Sequence, residues 1–174
     1  MIDAISRLFQ HPLSEVEGRP ERGRWIRAMP AVRVPELLDA DRNRLRGGRL
    51  NPPGSFQVLY AAEDELSLRE RIVECLSGSP TTIVTVFDAD LFRVLDLSDP
   101  RVRRQIGVTV GELWTGGEPS LMQALGVAAR NEGFEGVVYP RPWRLRSRNI
   151  AIFTDRIDAE RIRLVEVLPI GGES

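Results

Sequence analysis

The chain has 174 residues, 42% of them hydrophobic, which suits one domain with a substantial core and is too short for two full-sized ones. All 24 basic residues are arginine, and 25 acidic residues leave a formal net charge of -1, a balance that argues against nonspecific nucleic-acid binding, which needs a basic excess to displace counterions. Any anion site must therefore rest on arginine, backbone amides or dipoles, and with His11 as the single histidine, His-rich metal centres and Cys/His zinc clusters are excluded.

In chain order, "MIDAISRLFQHPL" lacks the uninterrupted apolar run of a signal peptide, and no stretch approaches the length needed to span a bilayer. The lone Cys75 has no disulfide partner, so a soluble cytoplasmic protein is expected. Residues 1–20 read as an N-terminal tail and 21–170 as the domain. In "WIRAMP", Arg27 lies on a strand-like segment, either as a snorkelling edge residue or as an inward anion ligand. "VPELLDADRNRL" predicts a short helix at 35–45.

The loop "RGGRLNPPGSFQVLY" follows. Arg49 is either a solvated turn residue or an arginine carried into a site: the glycines allow close backbone approach, and Pro52-Pro53-Gly54 stiffens the far side. "FQVLYAA" alternates as a strand over 56–62, which puts Tyr60 on the face of Val58. Asp64 is a plausible cap for "ELSLRERIVECL", a helix with Leu68, Ile72, Cys75 and Leu76 on one stripe and Glu70 between two arginines.

"TTIVTVFDA" and "LFRVLDLS" read as two strands joined at Asp88 to Asp90. Two capped helices follow, in "SDPRVRRQIG" and in "EPSLMQALGVAARNEG", the second with Leu121, Leu125 and Ala128 on one face. "EGVVY", "NIAIF" and "IRLVEVL" supply three more strands, the first two separated by "PRPWRLRSR", a loop suited to phosphate binding or to plain solvation. Without a regular βαβα repeat, the expected fold is α+β: a single domain with a mixed, mostly antiparallel sheet and flanking helices. There is no phosphate loop, GxGxxG, GxSxG or HExxH.

Taken together in order, "WIRAMP", "RGGRLNPPGSFQVLYAAEDELSLRE", "ARNEGFEGVVYP" and "NIAIF" resemble the RES domain family, toxins of bacterial toxin–antitoxin pairs that consume NAD. The resemblance covers roughly residues 24 to 168. It implies a fold related to ADP-ribosyltransferases, NAD as a substrate rather than a cofactor, and cleavage of the nicotinamide–ribose bond by water or phosphate. It also implies a partner, an Xre-like antitoxin covering the cleft, and a possible oligomer with it. Carried over, Arg27 and Arg49 would bind NAD phosphates, Asn51 would belong to the binding loop, Tyr60 would face the nicotinamide or its ribose, and Glu70 would be the catalytic carboxylate.

Two positions depart from the family. Arg141 stands where a serine is usual, with Ser147 the nearest serine after it, and Leu50 replaces the loop tryptophan. These departures leave room for a degenerate NAD- or partner-binding module, and transfer to a protein acceptor is a further alternative.

Overall fold

The computed structural model describes residues 4–31, 38–63, 81–114, 120–141 and 147–170. The predicted helix carrying Glu70 and Cys75, the start of the helix predicted at 35–45, and the middle of the Arg-rich loop lie outside these residues.

The elements are α1 (Ala4–Gln10), β1 (Arg19–Pro30), α2 (Asp41–Arg46), β2 (Leu59–Ala62), β3 (Thr82–Asp96), α3 (Pro100–Gln105), α4 (Leu121–Asn131), β4 (Gly136–Pro140), β5 (Arg148–Ile152) and β6 (Ile162–Ile170). Their mixture is α+β, as the interspersed patterns predict. The sheet differs from an open one. Neighbours run β1, β2, β5, β4, β3, and β3 pairs back onto β1, so five strands close into a barrel. Within the ring only β3 and β4 are parallel; β6 lies antiparallel on β3 outside it.

β3 corrects the expectation of two strands. It runs unbroken for 15 residues, and the segment read as a connection alternates cleanly, with Phe87, Ala89 and Leu91 buried and Asp88 and Asp90 outward. The outward carboxylates face arginines in register on β1: Arg24 binds Asp88 at 3.0 Å and Arg22 binds Asp90 at 2.6 Å. An Asp-x-Asp that resembles a turn is here a charged outer face.

The core has two layers. One fills the ring, with Trp25, Leu59, Phe87, Leu91, Val138, Ile150 and Ile152 contributed by all five of its strands. The other lies between the outer face of the ring and the helices, and includes Leu50, Val58, Leu95, Leu125, Ala129, Phe134 and Phe153. Helix α4 is capped by Ser120, whose Oγ accepts from the Gln123 amide at 3.1 Å, and it buries Leu121, Met122, Leu125, Gly126 and Ala129. Ala128, predicted on that stripe, is only half-buried.

Residues 4–16, read from sequence as part of a tail, form α1 and a 3-10 turn. Their Leu8, Leu13 and Val16 are buried in the outer core layer. β6 closes the fold as an edge strand with Leu164, Val165, Val167 and Leu168 partly exposed.

Candidate active site

The loop after α2 is organised by one fully buried side chain. Asn51 donates through Nδ2 to the carbonyls of Asn43 (2.6 Å) and Phe56 (3.2 Å), and its Oδ1 accepts from the Tyr60 hydroxyl at 2.7 Å. The same hydroxyl accepts from the Leu50 amide at 2.8 Å. Asn43 in turn donates to the Val58 carbonyl at 2.8 Å, which ties α2 to the approach of β2. The loop is thus cross-braced onto the strand that follows it.

Two glycines make that bracing possible. A Cβ on Gly48 would sit 2.7 Å from the Tyr60 ring edge and hydroxyl, and one on Gly126 would sit 1.8 Å from the Leu50 carbonyl oxygen. The loop can lie this close to Tyr60 on one side and to α4 on the other only because both positions lack a side chain. Leu50 itself is fully buried and packs in the outer core layer. The departure from the family's tryptophan therefore falls on the core side of the loop.

Beside this loop a cavity of about 440 Å³ is lined by Arg27, Arg49, Tyr60, Tyr139, Arg141 and Asn149, together with neighbouring residues of β1 and Gly47–Gly48. It lies along the seam where β1 and β2 meet at Ile26 and Ala62. Its size is that of an ordinary small-molecule site. A larger, shallower depression of about 680 Å³ lies over Arg22, Arg24, Asp88 and Asp90, where the arginines are already matched by carboxylates.

Three arginines from different elements converge on the smaller cavity. Arg27, on β1, resolves as inward: it is about nine-tenths buried and its guanidinium donates to the Asp39 carbonyl at 3.3 Å. Arg49 donates to the Leu113 carbonyl at 2.7 Å and lies over the Trp114 ring, 3.5 Å from its centroid. Burial lowers the pKa of Arg49, the direction expected when a cation loses water, but a guanidinium starts so high that it stays charged. Arg141 lines the cavity, and its amide donates to the Ser147 carbonyl at 3.1 Å, closing the Arg-rich loop at its base.

Arg148, by contrast, is neutralised. Its guanidinium binds Glu63 through two bonds (3.0 and 2.6 Å) and Glu21 through two more (3.1 and 3.2 Å), and the Glu63 bonds above all raise its pKa. Arg27, Arg49 and Arg141 bring their cationic side chains to the cavity wall.

Both tyrosines are held in their neutral form. Burial, first of all, pushes the Tyr60 phenol far above its usual value, and burial pushes Tyr139 up to about 12. The Tyr60 ring lines the cavity while its hydroxyl is committed to the loop.

Of the residues singled out from sequence, Arg27, Arg49, Tyr60 and Arg141 come together around one cavity. Asn51 lies behind it, holding the loop, and Ser147 is buried at the base of the Arg-rich loop. Glu70 lies outside the described residues. Sequence reasoning missed Tyr139, Asn149 and Trp114. Tyr139 and Asn149 share a register position on β4 and β5. Alternation along "GVVYP" and "NIAIF" would have placed them on one face, but nothing local marks that face as a cavity wall. Among the described residues there is no group of three or more His, Cys, Asp or Glu able to hold a metal, and no helix is long and apolar enough to cross a membrane.

Comparison with known proteins places the chain in a family. NAD(+) phosphorylase MbcT of Mycobacterium tuberculosis is 29% identical over 115 residues, a match spanning 60% of this chain and 61% of that protein, and the Mycobacterium bovis protein of the same name matches equally. The crystal structure of the M. tuberculosis MbcT–MbcA toxin–antitoxin complex superposes with a TM-score of 0.74 at 20% identity, covering 98% of this chain and 94% of that one, which shows a shared fold. The sequence profile of the RES domain matches residues 24–170, most of the chain and all of the cavity lining, and the protein therefore belongs to the RES domain family.

Proposed function

We propose that this protein is an NAD-degrading enzyme, an NAD phosphorylase or glycohydrolase, which acts as the toxin of a toxin–antitoxin pair. The observation that carries the reading is the convergence of Arg27, Arg49 and Arg141 with the half-buried Tyr60 and the buried Tyr139 on one cavity, in a chain similar to proteins named NAD(+) phosphorylase. The proposed relation of the barrel to the ADP-ribosyltransferase fold belongs to the same reading. NAD enters as substrate, with inorganic phosphate as the possible second substrate, and an antitoxin would act by covering the cavity.

The chemistry suits these residue types. Arginines from separate elements match the spread charge of a pyrophosphate, each able to offer paired N–H donors. The bond to be broken joins the ribose anomeric carbon to a cationic nicotinamide nitrogen. As it breaks, its electron pair neutralises the ring, so the leaving group needs no proton. Positive charge builds on the ribose, and a carboxylate stabilises such an oxocarbenium-like state directly or through a ribose hydroxyl. We assign that role to Glu70. A phosphate or water oxygen then bonds to the anomeric carbon, giving ADP-ribose 1''-phosphate, or ADP-ribose with release of a proton.

The test is NAD loss by the purified, antitoxin-free protein with and without phosphate. Consumption that depends on phosphate supports a phosphorylase; intact NAD in the presence of folded protein rejects the enzymatic reading. Glu70→Ala is expected to slow turnover by at least about 100-fold, the scale of a single transition-state electrostatic contact. Arg141, in the position of the family's usual serine, favours one second reading, a binding module that holds NAD without cleaving it. Binding without consumption in the same assay would distinguish it.

A further inference from the structure

Resting on the NAD reading, we propose that Arg49 is held in its binding position from behind by the turn Glu112–Trp114, and that helix α1, which lies outside the region matched by the RES domain, braces that turn. Trp114 and Glu112 are thus positioning residues for an anion-binding arginine.

A chain of contacts links the cavity to α1. The Arg49 guanidinium donates to the Leu113 carbonyl at 2.7 Å and stacks 3.5 Å over the centroid of the Trp114 ring. Trp114 also packs against Tyr139 of the cavity wall, with ring centroids 6.3 Å apart. The turn is closed by Glu112, which accepts from the Thr109 amide and hydroxyl, both at 2.8 Å. Its other carboxylate oxygen pairs with Arg7 of α1. Leu113 is buried in the outer core layer, so the turn has an apolar anchor as well as an ionic one.

This arrangement has a kinetic consequence. A free arginine loses much rotamer freedom when it grips a phosphate, and an aromatic shelf with a carbonyl stop removes that freedom in advance. The Arg49 side chain lines the cavity while one terminal nitrogen is held by the Leu113 carbonyl. The effect belongs to substrate capture, so it falls on KM and leaves kcat nearly unchanged.

The experiment measures kcat and KM for NAD, and binding of inorganic pyrophosphate by calorimetry, in wild type, Trp114→Ala, Trp114→Phe, Arg7→Met, Glu112→Gln and the Arg7/Glu112 double variant. Trp114→Ala is expected to raise KM and weaken pyrophosphate binding about tenfold, and Trp114→Phe to restore most of the loss, on the scale of a desolvated cation–π contact. Arg7→Met and Glu112→Gln should each weaken binding about threefold, and the double variant no more than the worse single one. Unchanged binding in Trp114→Ala, Phe as poor as Ala, or additive Arg7 and Glu112 effects overturns the proposal. Should Trp114→Ala not fold, the Arg7/Glu112 cycle decides it. A wild type that binds pyrophosphate but leaves NAD intact defeats the enzymatic reading alone, and the pyrophosphate series still tests the brace.

Discussion

At the scale of single residues, Tyr60 bears most directly on the site. Its hydroxyl satisfies the Leu50 amide and the fully buried Asn51 at once, so Tyr60→Phe leaves polar groups unpaired. The expected loss is about 1–3 kcal/mol of stability, read from urea unfolding, together with weaker NAD binding as the loop loosens. The two tyrosines also set an alkaline limit. Both phenols have folded pKa values raised above the unfolded value of about 10, so the unfolded chain releases protons first. Their contribution is constant below that value and is lost as pH rises past about 10 towards the folded values. Phenolate absorbance should therefore stay flat while the protein remains folded and rise with unfolding in an alkaline titration.

The site loop was legible through its order beside Arg27 and the Leu-Tyr strand and through the family resemblance, because glycine, asparagine and arginine by themselves are ordinary surface-loop residues. Their division of labour was not. That Asn51 braces while Arg49 faces the cavity depends on which atoms Tyr60 reaches across the fold, and sequence spacing carries no such information.

At the scale of elements, the contact between the loop and α4 is the sharpest constraint. Gly126→Ala would drive a methyl group into the Leu50 backbone, and either the helix or the loop must move. Overpacking of this kind costs about 1–3 kcal/mol or more, and since Leu50 follows Arg49, activity should fall further than stability alone explains. Unfolding and NAD turnover measured on the same sample separate the two effects. Most elements were readable: β4, β5, β6 and the Ser120-capped α4 follow from alternation and capping. The exception, β3, was misread where Asp88 and Asp90 imitate a turn, because their arginine partners lie more than sixty residues away on β1. Local pattern cannot see a charge pair closed by register.

At the scale of the whole molecule, α1 is part of the domain. It packs against α4, and Leu8, Leu13 and Val16 lie in the shared core. Removing residues 1–16 is expected to cost several kcal/mol, at about 1.5–3 kcal/mol for each large buried aliphatic side chain, and to lower the melting temperature sharply in a thermal scan. The charge and composition of this segment suggested a tail because three buried apolar residues spread over nine positions make a weak periodic signal.

Ring closure governs when the site can exist during synthesis. β1 finds its partners in β2 and β3, and the circle is completed only when β5, ending at Ile152, inserts between β2 and β4. The cavity wall draws on residues from Ile26 to Asn149. A nascent chain must therefore hold its early strands without their ring partners until most of the sequence has left the ribosome, and such long-range pairing is slow. A chain stalled before β5 would have no assembled cavity. For a protein whose proposed activity drains the cell's own NAD, unfinished copies would be inert, and a cell would need to restrain only completed ones.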